Sequence, residues 1–578
     1  MNEDSSRAPP PGRPRLPTWP GRRPGYGPAG WALALSCYHH AAMTVRQVGG
    51  EHATVTDVLR AAAEVNAQVE AYVEVAEPDA GGLVAAGPDG RRRLTFAAWD
   101  AAADAVAGLF AACGVARGDV VCLLLPSSID YAVCYHAAAR LGAVTTGVNL
   151  RLGPAERASI AARVRPAVTV VDTDAVAEGS LPLYSGTVVA RAALAGARDG
   201  RAPRLPALDG RDPVAVVWTS GSTGVPKGAV FDHDNLRAVA EGTDVLSRPG
   251  DRRLSPLPFA HVGYMTRAWD EIVHGVTTVI TPQPWSASSA VDLLTSERVT
   301  VGQGVPTQWA LMLRHPDLEG ADLSHLRIVG TGAARVPPEL VRAMRARLGC
   351  PVVVRYTSTE SSLGTGTRPE DPDEVVATTV GRPVPGVELA VVDPGGAPVG
   401  PGEVGRIRLR SGAAMRGYVG DLGAAVLIDE EATAGVLDAE GWVTTGDLGA
   451  VDDDGNLRLV GRVSEMYIRG GYNVYPSEVE GVLGEVPGVS QVAVVGAPDP
   501  VLGEIGAAFV VPAPGTASPD LDDLRAACRA RLADYKAPDR LYLVGDLPVT
   551  AMAKIDKRAL AARAAELGAR PAKEQVST

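Results

Sequence analysis

The sequence lacks the features that mark a metal protein, a disulfide-bonded protein or a membrane protein. Its six cysteines include no C-x-x-C pair, and its nine histidines do not stand at zinc-ligand spacing. Scattered cysteines in a chain of 578 residues favour reduced, mostly buried thiols and a cytoplasmic protein. No apolar run reaches the length of a membrane-spanning helix. We therefore expect no structural metal and no integral membrane segment.

A strong charge of either sign is also missing. The formal charge of −12 is modest for this length and no long basic stripe is present, which argues against nucleic acid as a partner. Apolar residues make up 46% of the chain and charged residues 21%, as in ordinary globular proteins. The chain is too long for one hydrophobic core, so several domains are expected.

Both ends of the chain differ in composition from the rest. Residues 1–50 contain "RAPPPGRPRLPTWPGRRPGYGPAG", which is rich in Pro, Arg and Gly and predicts a disordered extension. Arg22-Arg23 resembles a twin-arginine export signal, although the prolines and the short apolar run argue against one. An upstream start codon ahead of a true start at Met43 is the alternative. Residues 566–578 are polar and predict a frayed tail.

From about Val55 onward, helix-like and strand-like segments alternate. "LTFAAWDAAADAVAGLFAACGV" (94–115) has helical spacing, and "GDVVCLLLPSS" (118–128) predicts a short buried strand. Further apolar strands are predicted in "PVAVVWTS", "VTTVITP", "LRIVGTG" and "PVVVRYTSTE". Apolar strands that alternate with helices predict an α/β fold with a mostly parallel sheet covered on both faces. Ligands in such sheets bind at the carboxyl ends of the strands.

The pattern changes in the last third of the chain. "VELAVVDPGGAPVGPGEVGRIRLRS", beginning at Val387, alternates and is rich in turn residues, which predicts antiparallel strands. After Gly461 a mixed order of strands and helices predicts a small α+β domain. We therefore predict a large domain over residues 51–461 and a small domain over residues 462–565, joined near Gly461-Arg462.

The stretch "VWTSGSTGVPKG" (217–228) has the composition of a phosphate-binding loop. A nucleoside-triphosphatase P-loop requires G-x-x-x-x-G-K-[ST]. Counted from Gly221, the sixth position is Pro226, and Lys227 is followed by Gly228. Pro226 has no N–H for a phosphate and disfavours helical geometry before it. The loop therefore predicts a flexible flap over polyphosphate, not a P-loop.

Six motifs occur in a fixed order: "TSGSTGVPKG" (219–228), "LPFAHVGYM" (257–265), "GTGAARVP" (330–337) with "RYTSTE" (355–360), "WVTTGDLG" (442–449), "GRVSEMYIRGGYNVYPSEVE" (461–480) and "LPVTAMAKIDKRAL" (547–560). Together they resemble the adenylate-forming superfamily of acyl-CoA synthetases, peptide adenylation domains and luciferases. The resemblance covers about residues 55–565. It implies a large domain of mostly parallel sheets flanked by helices plus a distorted antiparallel barrel, and a small mobile α+β C-terminal domain.

The resemblance implies a ligase that uses ATP, Mg²⁺ and coenzyme A. A carboxylate attacks the α-phosphate of ATP, and a thiol then displaces AMP from the acyl-adenylate. The residues implied to bind ATP or AMP are Thr219, Ser220, Gly221, Ser222, Thr223, Gly224, Lys227, Tyr356, Asp447 and Arg462. Among them Tyr356 faces adenine, Asp447 accepts the ribose hydroxyls, and Arg462 contacts ribose and phosphate.

The remaining implied residues act on the reacting groups. Thr359 lies on the phosphate and Glu360 on Mg²⁺, a usual carboxylate role. Lys554 bridges the acyl carboxylate and the α-phosphate and leaves when the small domain rotates. His261 matches a gate between acyl pocket and thiol tunnel. The tunnel is implied at Gly470, Gly471 and Tyr472, and the acyl pocket at His261, Arg355, Gly332 and Thr357.

Four positions depart from the family pattern: Ser464 at the hinge, Ala553 before Lys554, and Arg355 and Thr357 on either side of Tyr356. The last two predict a narrower, more polar pocket, suited to a small, aromatic or polar acid, and Arg355 faces either the substrate or bulk water.

Three alternatives stay open: a carrier-protein thiol or an amine as acceptor, nitrite as the activated anion, and a non-catalytic nucleotide-binding homologue. The expected partner is a small-molecule acid, and the resemblance also admits a homodimer.

Overall fold

A computed structural model describes residues 53–75, 82–172, 186–197, 203–219, 226–333, 336–420, 428–550 and 554–568. The predicted extension over residues 1–50 lies outside these ranges. Of the predicted tail, residues 566–568 are described, and they end a helix.

The first part of the chain alternates strands with helices, as its apolar pattern predicts. In chain order the elements are α1 (Val55–Val65), β1 (Glu70–Val75), β2 (Arg91–Thr95), α2 (Phe96–Ala112), β3 (Val120–Leu124), α3 (Ile129–Arg140), β4 (Val144–Gly147), α4 (Pro154–Val164), β5 (Val168–Val171), β6 (Thr187–Ala190) and β7 (Pro213–Thr219). Segment 94–115 differs slightly from its prediction because Leu94 and Thr95 finish β2 and Thr95 caps α2.

The middle of the chain continues the alternation. It contains β8 (Lys227–Asp232), α5 (His233–Gly242), β9 (Arg252–Ser255), α6 (Val262–Met265), α7 (Ala268–Val273), β10 (Thr277–Ile280), α8 (Ala287–Ser296), β11 (Val301–Gly304), α9 (Pro306–Arg314), β12 (Ile328–Gly332), α10 (Pro338–Leu348), β13 (Val352–Tyr356), β14 (Thr365–Gly366), α11 (Asp373–Thr378) and β15 (Arg382–Pro383).

The last part has the predicted antiparallel strands and the small α+β unit. It contains β16 (Glu388–Val392), β17 (Gly405–Arg410), β18 (Gly417–Val419), β19 (Ile428–Asp429), α12 (Glu430–Ala434), β20 (Trp442–Val451), β21 (Leu457–Arg462), β22 (Tyr467–Arg469), β23 (Tyr472–Val474), α13 (Pro476–Leu483), β24 (Val489–Asp499), β25 (Gly503–Pro512), α14 (Leu521–Arg531), β26 (Arg540–Leu543) and α15 (Lys557–Gly568).

Two large sheets with parallel centres form the body of the molecule. One has the order β15-β14-β13-β12-β11-β9-β10-β1-β2, and the other β19-β18-β8-β7-β4-β3-β5-β6. Antiparallel strands stand only toward the edges, including β8 and β18. Helix α3 is buried along its whole length and packs in the largest core cluster. This burial on all sides explains why its sequence has no clear polar face.

Two smaller sheets complete the fold. Strands β16, β17, β20 and β21 form an antiparallel sheet, as their alternating sequence predicts. Strands β22 to β26 form the sheet of the C-terminal unit, with its own apolar core against α13 and α14. The predicted domain boundary near Gly461-Arg462 falls at the end of β21 and stays a prediction. Within the described ranges, no helix is long and apolar enough to cross a membrane.

Candidate active site

The predicted phosphate loop connects two antiparallel strands. Thr219 ends β7, Lys227 begins β8, and the two residues are paired in register. The loop residues Ser220, Gly221, Ser222, Thr223 and Gly224 lie outside the described residues. A strand–loop–strand arrangement differs from the strand–loop–helix of a P-loop, which agrees with the motif comparison.

Gly228 has a packing role that the sequence interpretation missed. It lies inside β8 opposite Trp218. A Cβ at Gly228 would lie 2.6 Å from Val216 Cγ1 and 2.8 Å from Val419 Cγ1. The sequence suggested that this glycine serves loop flexibility; in the structure its missing side chain allows β8 to pack closely against its neighbours.

Three predicted nucleotide contacts meet at the end of β13. The Tyr356 hydroxyl donates to Asp447 Oδ2 at 2.8 Å, and Arg462 Nε donates to Asp447 Oδ1 at 2.9 Å. Asp447 and Arg462 face each other in register on β20 and β21. Burial and the Asp447 carboxylate raise the pKa of Tyr356 well above its ordinary value. Its hydroxyl therefore stays protonated and orients the carboxylate predicted to accept ribose hydroxyls.

Glu360 lies in the turn after β13, next to Thr359. The Met415 N–H donates to the Glu360 carbonyl at 2.8 Å. The Tyr418 hydroxyl donates to Glu360 Oε1 at 2.7 Å. Lys227 Nζ lies 5.1 Å from the centroid of the same Tyr418 ring. The predicted phosphate lysine and the predicted magnesium ligand therefore both contact Tyr418, one at its ring and the other at its hydroxyl.

The donor set at Glu360 fits a magnesium ion that is shared with a nucleotide. In the described part of the chain, no cluster of three or more Asp, Glu, His or Cys residues could hold a metal by itself. Glu360 offers a half-buried carboxylate whose Oε1 is oriented by Tyr418. Mg²⁺ is commonly held by one or two carboxylates together with substrate phosphates, and Glu360 matches that arrangement.

Lys554 lies among the charged groups of this site. Burial and the Arg462 guanidinium lower the pKa of the Lys554 ammonium, and the Asp447 and Glu465 carboxylates oppose that shift. The Thr550 N–H donates to the Lys554 carbonyl at 2.7 Å, which closes the turn that carries the lysine. The structure thus brings Lys554 from the C-terminal unit to the pair Asp447–Arg462. The preceding Ala553 lies outside the described residues.

His261 is the N-cap of α6. The Gly263 N–H donates to His261 Nδ1 at 3.2 Å, which assigns the ring proton to Nε2. Burial, with a smaller contribution from the Lys554 ammonium, lowers the pKa of His261 to about 4. The imidazole is therefore neutral at pH 7. It lies close enough to Lys554 for the lysine charge to influence its pKa.

The predicted acyl-pocket residue Arg355 has a partner inside the protein. Its Nη2 donates to Asp244 Oδ1, across 111 positions of sequence. The sequence leads us to expect that Arg355 faces either the substrate or bulk water. The structure pairs it with Asp244 and leaves 20% of its side chain exposed, and its contact with the substrate stays a prediction. Gly332 lies opposite Arg355 on β12, where a Cβ would come within 2.3 Å of the Arg355 carbonyl oxygen. Thr357 is exposed.

The predicted tunnel residues form a tight hairpin turn away from these groups. Gly470 and Gly471 have φ of 56° and 88° between β22 and β23, values that favour glycine. Tyr472 is 58% exposed and stacks on Tyr535 with ring centroids 4.6 Å apart. No hydrogen bond or ion pair within the described ranges joins this hairpin to Glu360, Asp447 or Lys554. The predicted site residues thus form two groups in this structure, one around Glu360, Asp447 and Lys554 and the other at the hairpin of Gly470–Tyr472.

Two contact residues escaped the sequence interpretation. Tyr418 lies 58 positions from Glu360, in "AAMRGYVGD", where only its place in a strand beside β8 reveals its role. Asp244 follows α5 in a loop. No local sequence signal distinguishes either residue from an ordinary core tyrosine or surface aspartate.

In a comparison with known proteins, two family models match this chain. The model of the AMP-binding enzyme family matches residues 60–419, and that of the AMP-binding enzyme C-terminal domain matches residues 478–554. A 3-[(3aS,4S,7aS)-7a-methyl-1,5-dioxo-octahydro-1H-inden-4-yl]propanoyl:CoA ligase of Mycobacterium tuberculosis is 40% identical over 370 residues, 63% of this chain and 69% of that protein.

Two further similarities cover more of the chain. An indoleacetate–CoA ligase of Aromatoleum aromaticum is 34% identical over 492 residues, 82% of this chain and 94% of that protein. The solved structure of a Mycobacterium tuberculosis fatty acyl CoA synthetase superposes with a TM-score of 0.67 at 32% identity, over 88% of this chain and 98% of that one. The names of these similar proteins thus refer to a bicyclic, an aromatic and a fatty acyl substrate.

Proposed function

Because the chain belongs to the family of AMP-binding enzymes, we propose that it activates a compact acid, and we assign its site residues to the steps. It is an ATP-dependent acid–thiol ligase that forms acyl-CoA. In the first step the acid carboxylate attacks the α-phosphorus of ATP, the bond to the bridging oxygen breaks, and pyrophosphate leaves. In the second step the thiolate of coenzyme A attacks the acyl carbon, and AMP leaves with the shared electron pair.

The observation that carries the assignment is the position of Lys554 beside Asp447, Arg462 and His261. Two anions meet in the first step, so a cation between them lowers the barrier by electrostatic stabilisation. Asp447, oriented by Tyr356 and Arg462, holds the ribose. His261 is neutral and therefore does not compete with Lys554 for the acyl carboxylate. This arrangement supports the adenylation step.

Glu360 is the residue that would hold Mg²⁺, with Thr359 beside it on the phosphate. When bound, the ion neutralises phosphate charge and so assists the departure of pyrophosphate. Lys227 lies over the ring of Tyr418 and binds the same phosphates as a point charge. Gly470, Gly471 and Tyr472 remain for the thiol tunnel after the small domain rotates.

The ion pair of Arg355 and Asp244 supports a compact acid. Both side chains are largely buried, with exposed fractions of 20% and 25%, and Arg355 stands on β13 directly before Tyr356. A partly buried ion pair at the predicted floor of the acyl pocket disfavours an alkyl chain that would have to desolvate or displace it. An aromatic, alicyclic or polar acid does not require that the ion pair be desolvated or displaced.

The test is a screen of pyrophosphate release over ring-bearing acids, short acids, a sixteen-carbon fatty acid and nitrite, each with coenzyme A added or omitted. We expect release that depends on a ring-bearing or short acid, with acyl-CoA as product. A Lys554→Ala variant serves as the control for release that does not come from this site.

Other outcomes of the screen separate the alternatives. Acid-dependent release without acyl-CoA would contradict the ligase assignment and point to a carrier-protein thiol or an amine as acceptor. Release with nitrite alone would point to nitrite as the activated anion. A preference for the sixteen-carbon acid would overturn the compact-acid proposal and leave the ligase assignment intact.

A further inference from the structure

Tyr418 joins two groups of the site through different parts of its side chain. Its hydroxyl donates to Glu360 Oε1 at 2.7 Å, and its ring faces Lys227 Nζ at 5.1 Å from the centroid. Lys227 belongs to β8, Glu360 to the turn after β13, and Tyr418 to β18. One side chain therefore connects three segments that are distant in sequence.

The position of Tyr418 is firmly fixed. Its residue pairs with Ala229 between β18 and β8, its N–H donates to Thr433 Oγ1 at 2.9 Å, and only 4% of the residue is exposed. These contacts hold the Tyr418 hydroxyl at hydrogen-bond distance from Glu360 Oε1.

Tyr418 contacts two opposite charges, Lys227 with its ring and Glu360 with its hydroxyl. A lysine and a glutamate that both approach one phosphate group could neutralise each other before the nucleotide arrives. Within the described residues, no ion pair joins Lys227 to Glu360, and each instead contacts Tyr418. A cation over an aromatic face keeps its charge while it is held in place, and a carboxylate with one oriented oxygen leaves the other available to a ligand.

We propose that Tyr418 is a positioning residue that orients Glu360 for Mg²⁺ through its hydroxyl and keeps Lys227 apart from Glu360 through its ring. The inference rests on the proposed role of Glu360 as magnesium ligand, but it does not depend on which acid or acceptor the enzyme uses. Hydrogen-bond partners of metal ligands set the orientation of those ligands and strongly influence metal affinity.

The experiment compares the Tyr418→Phe variant with the unsubstituted enzyme, both as full-length proteins. Binding of ATP to each is measured by calorimetric titration, once in the presence of Mg²⁺ and once in the presence of EDTA. Phe keeps the ring and removes the hydroxyl. We expect the Kd of Mg²⁺-ATP to rise about tenfold, while the Kd of ATP in EDTA stays unchanged. In a pyrophosphate-release assay the Mg²⁺ concentration for half-maximal rate should rise in parallel, and saturating Mg²⁺ should restore most of the rate.

The matched control is Tyr542→Phe. Tyr542 stacks on Phe509 in the C-terminal unit, and its hydroxyl has no hydrogen-bond partner within the described residues. This variant should leave both titrations unchanged. A Tyr418→Phe enzyme that has lost rate equally at all Mg²⁺ concentrations, or that binds Mg²⁺-ATP normally, would overturn the role of the hydroxyl.

Two further variants test the route of the effect. In a Glu360→Gln background, Tyr418→Phe should change Mg²⁺-ATP binding no further, since it acts through Glu360; additive losses would contradict that route. Tyr418→Leu also removes the ring, so it should weaken ATP binding in EDTA, where Tyr418→Phe does not. If the Leu and Phe variants bind ATP equally well in EDTA, the ring of Tyr418 does not keep Lys227 apart from Glu360. Because binding is measured without acid or coenzyme A, these outcomes stay distinct from a failure of the ligase assignment.

Discussion

Two turns of the C-terminal unit differ in their surroundings. The turn at Lys554 lies among Arg462, Asp447 and Glu465, whose charges act on the lysine. The turn at Gly470–Gly471 makes its contacts inside the unit, where the Gly470 N–H donates to the Leu502 carbonyl at 2.9 Å. One turn lies beside the predicted nucleotide-binding residues, and within the described ranges no hydrogen bond or ion pair joins the other turn to them.

This difference indicates which half-reaction the structure is arranged for. In the proposed mechanism, Lys554 at the site serves adenylation, and the hairpin serves the thiol after the C-terminal unit moves. Because the two turns belong to one unit, a single rotation would exchange them. Substitutions in each turn should therefore separate the two half-reactions.

The largest effect is expected from Lys554→Ala. Loss of the cation between two anions should slow acid-dependent pyrophosphate release about a hundredfold to a thousandfold. The Kd of ATP and the rate of acyl-CoA formation from a supplied acyl-adenylate should be retained. Single-turnover assays of the two steps provide the measurement. An equal loss in both steps would show that the two turns are not divided between the half-reactions.

Gly471→Ala should have the opposite selectivity. Its φ of 88° is strained for alanine, whereas the added Cβ would meet no atom within 4 Å, so the change acts on the turn alone. We expect acyl transfer to coenzyme A to fall about tenfold from the distorted turn, with adenylation unchanged. Gly515→Ala is the matched control, because Gly515 also has a positive φ, 76°, and open space around it.

The helices and strands were largely predictable from the sequence, whereas the pairing of charged side chains was not. Apolar runs such as those of β3 and β13 predicted their strands correctly. Arg355 shows the limit: its position at a strand end was evident from "RYTSTE", but its partner Asp244 comes from a loop 111 positions earlier. Charge pairing across such separations depends on how helices and strands pack, which periodicity does not report.

The order of motifs predicted the residues of the site, and the structure adds contacts among them that the motifs do not show. Asp447 and Arg462 were predicted separately and prove to be paired across β20 and β21. Gly228 was assigned to the phosphate loop and proves to pack against Val216 and Val419. A glycine in a loop motif looks alike in sequence whether it serves the ligand or the core.

A smaller effect is expected at Lys557, three residues after Lys554. Lys557 Nζ lies 2.9 Å from both Glu465 and Glu480 carboxylate oxygens and ties the lysine-bearing turn to the segment after β21. Lys557→Met should slow adenylation about two- to fivefold and leave acyl transfer unchanged. Lys536→Met is the control, since it removes a similar ion pair, with Glu478 at 2.6 Å, elsewhere in the unit. Equal rates for both variants would exclude this tether.

The smallest effect is expected from a change of pH, which removes the charge of Lys554 without substituting the residue. Burial and Arg462 lower the pKa of this lysine below its ordinary value, so the cation is lost at a lower pH than for a free lysine. The adenylation rate should therefore fall as pH rises through this lowered pKa, while acyl transfer from supplied adenylate should not fall with it. Glu465→Gln removes a carboxylate that raises the lysine pKa, so the alkaline limb should move to lower pH. An alkaline limb that stays in place, or one shared by both half-reactions, would mean that the turn at Lys554 does not carry the titrating cation.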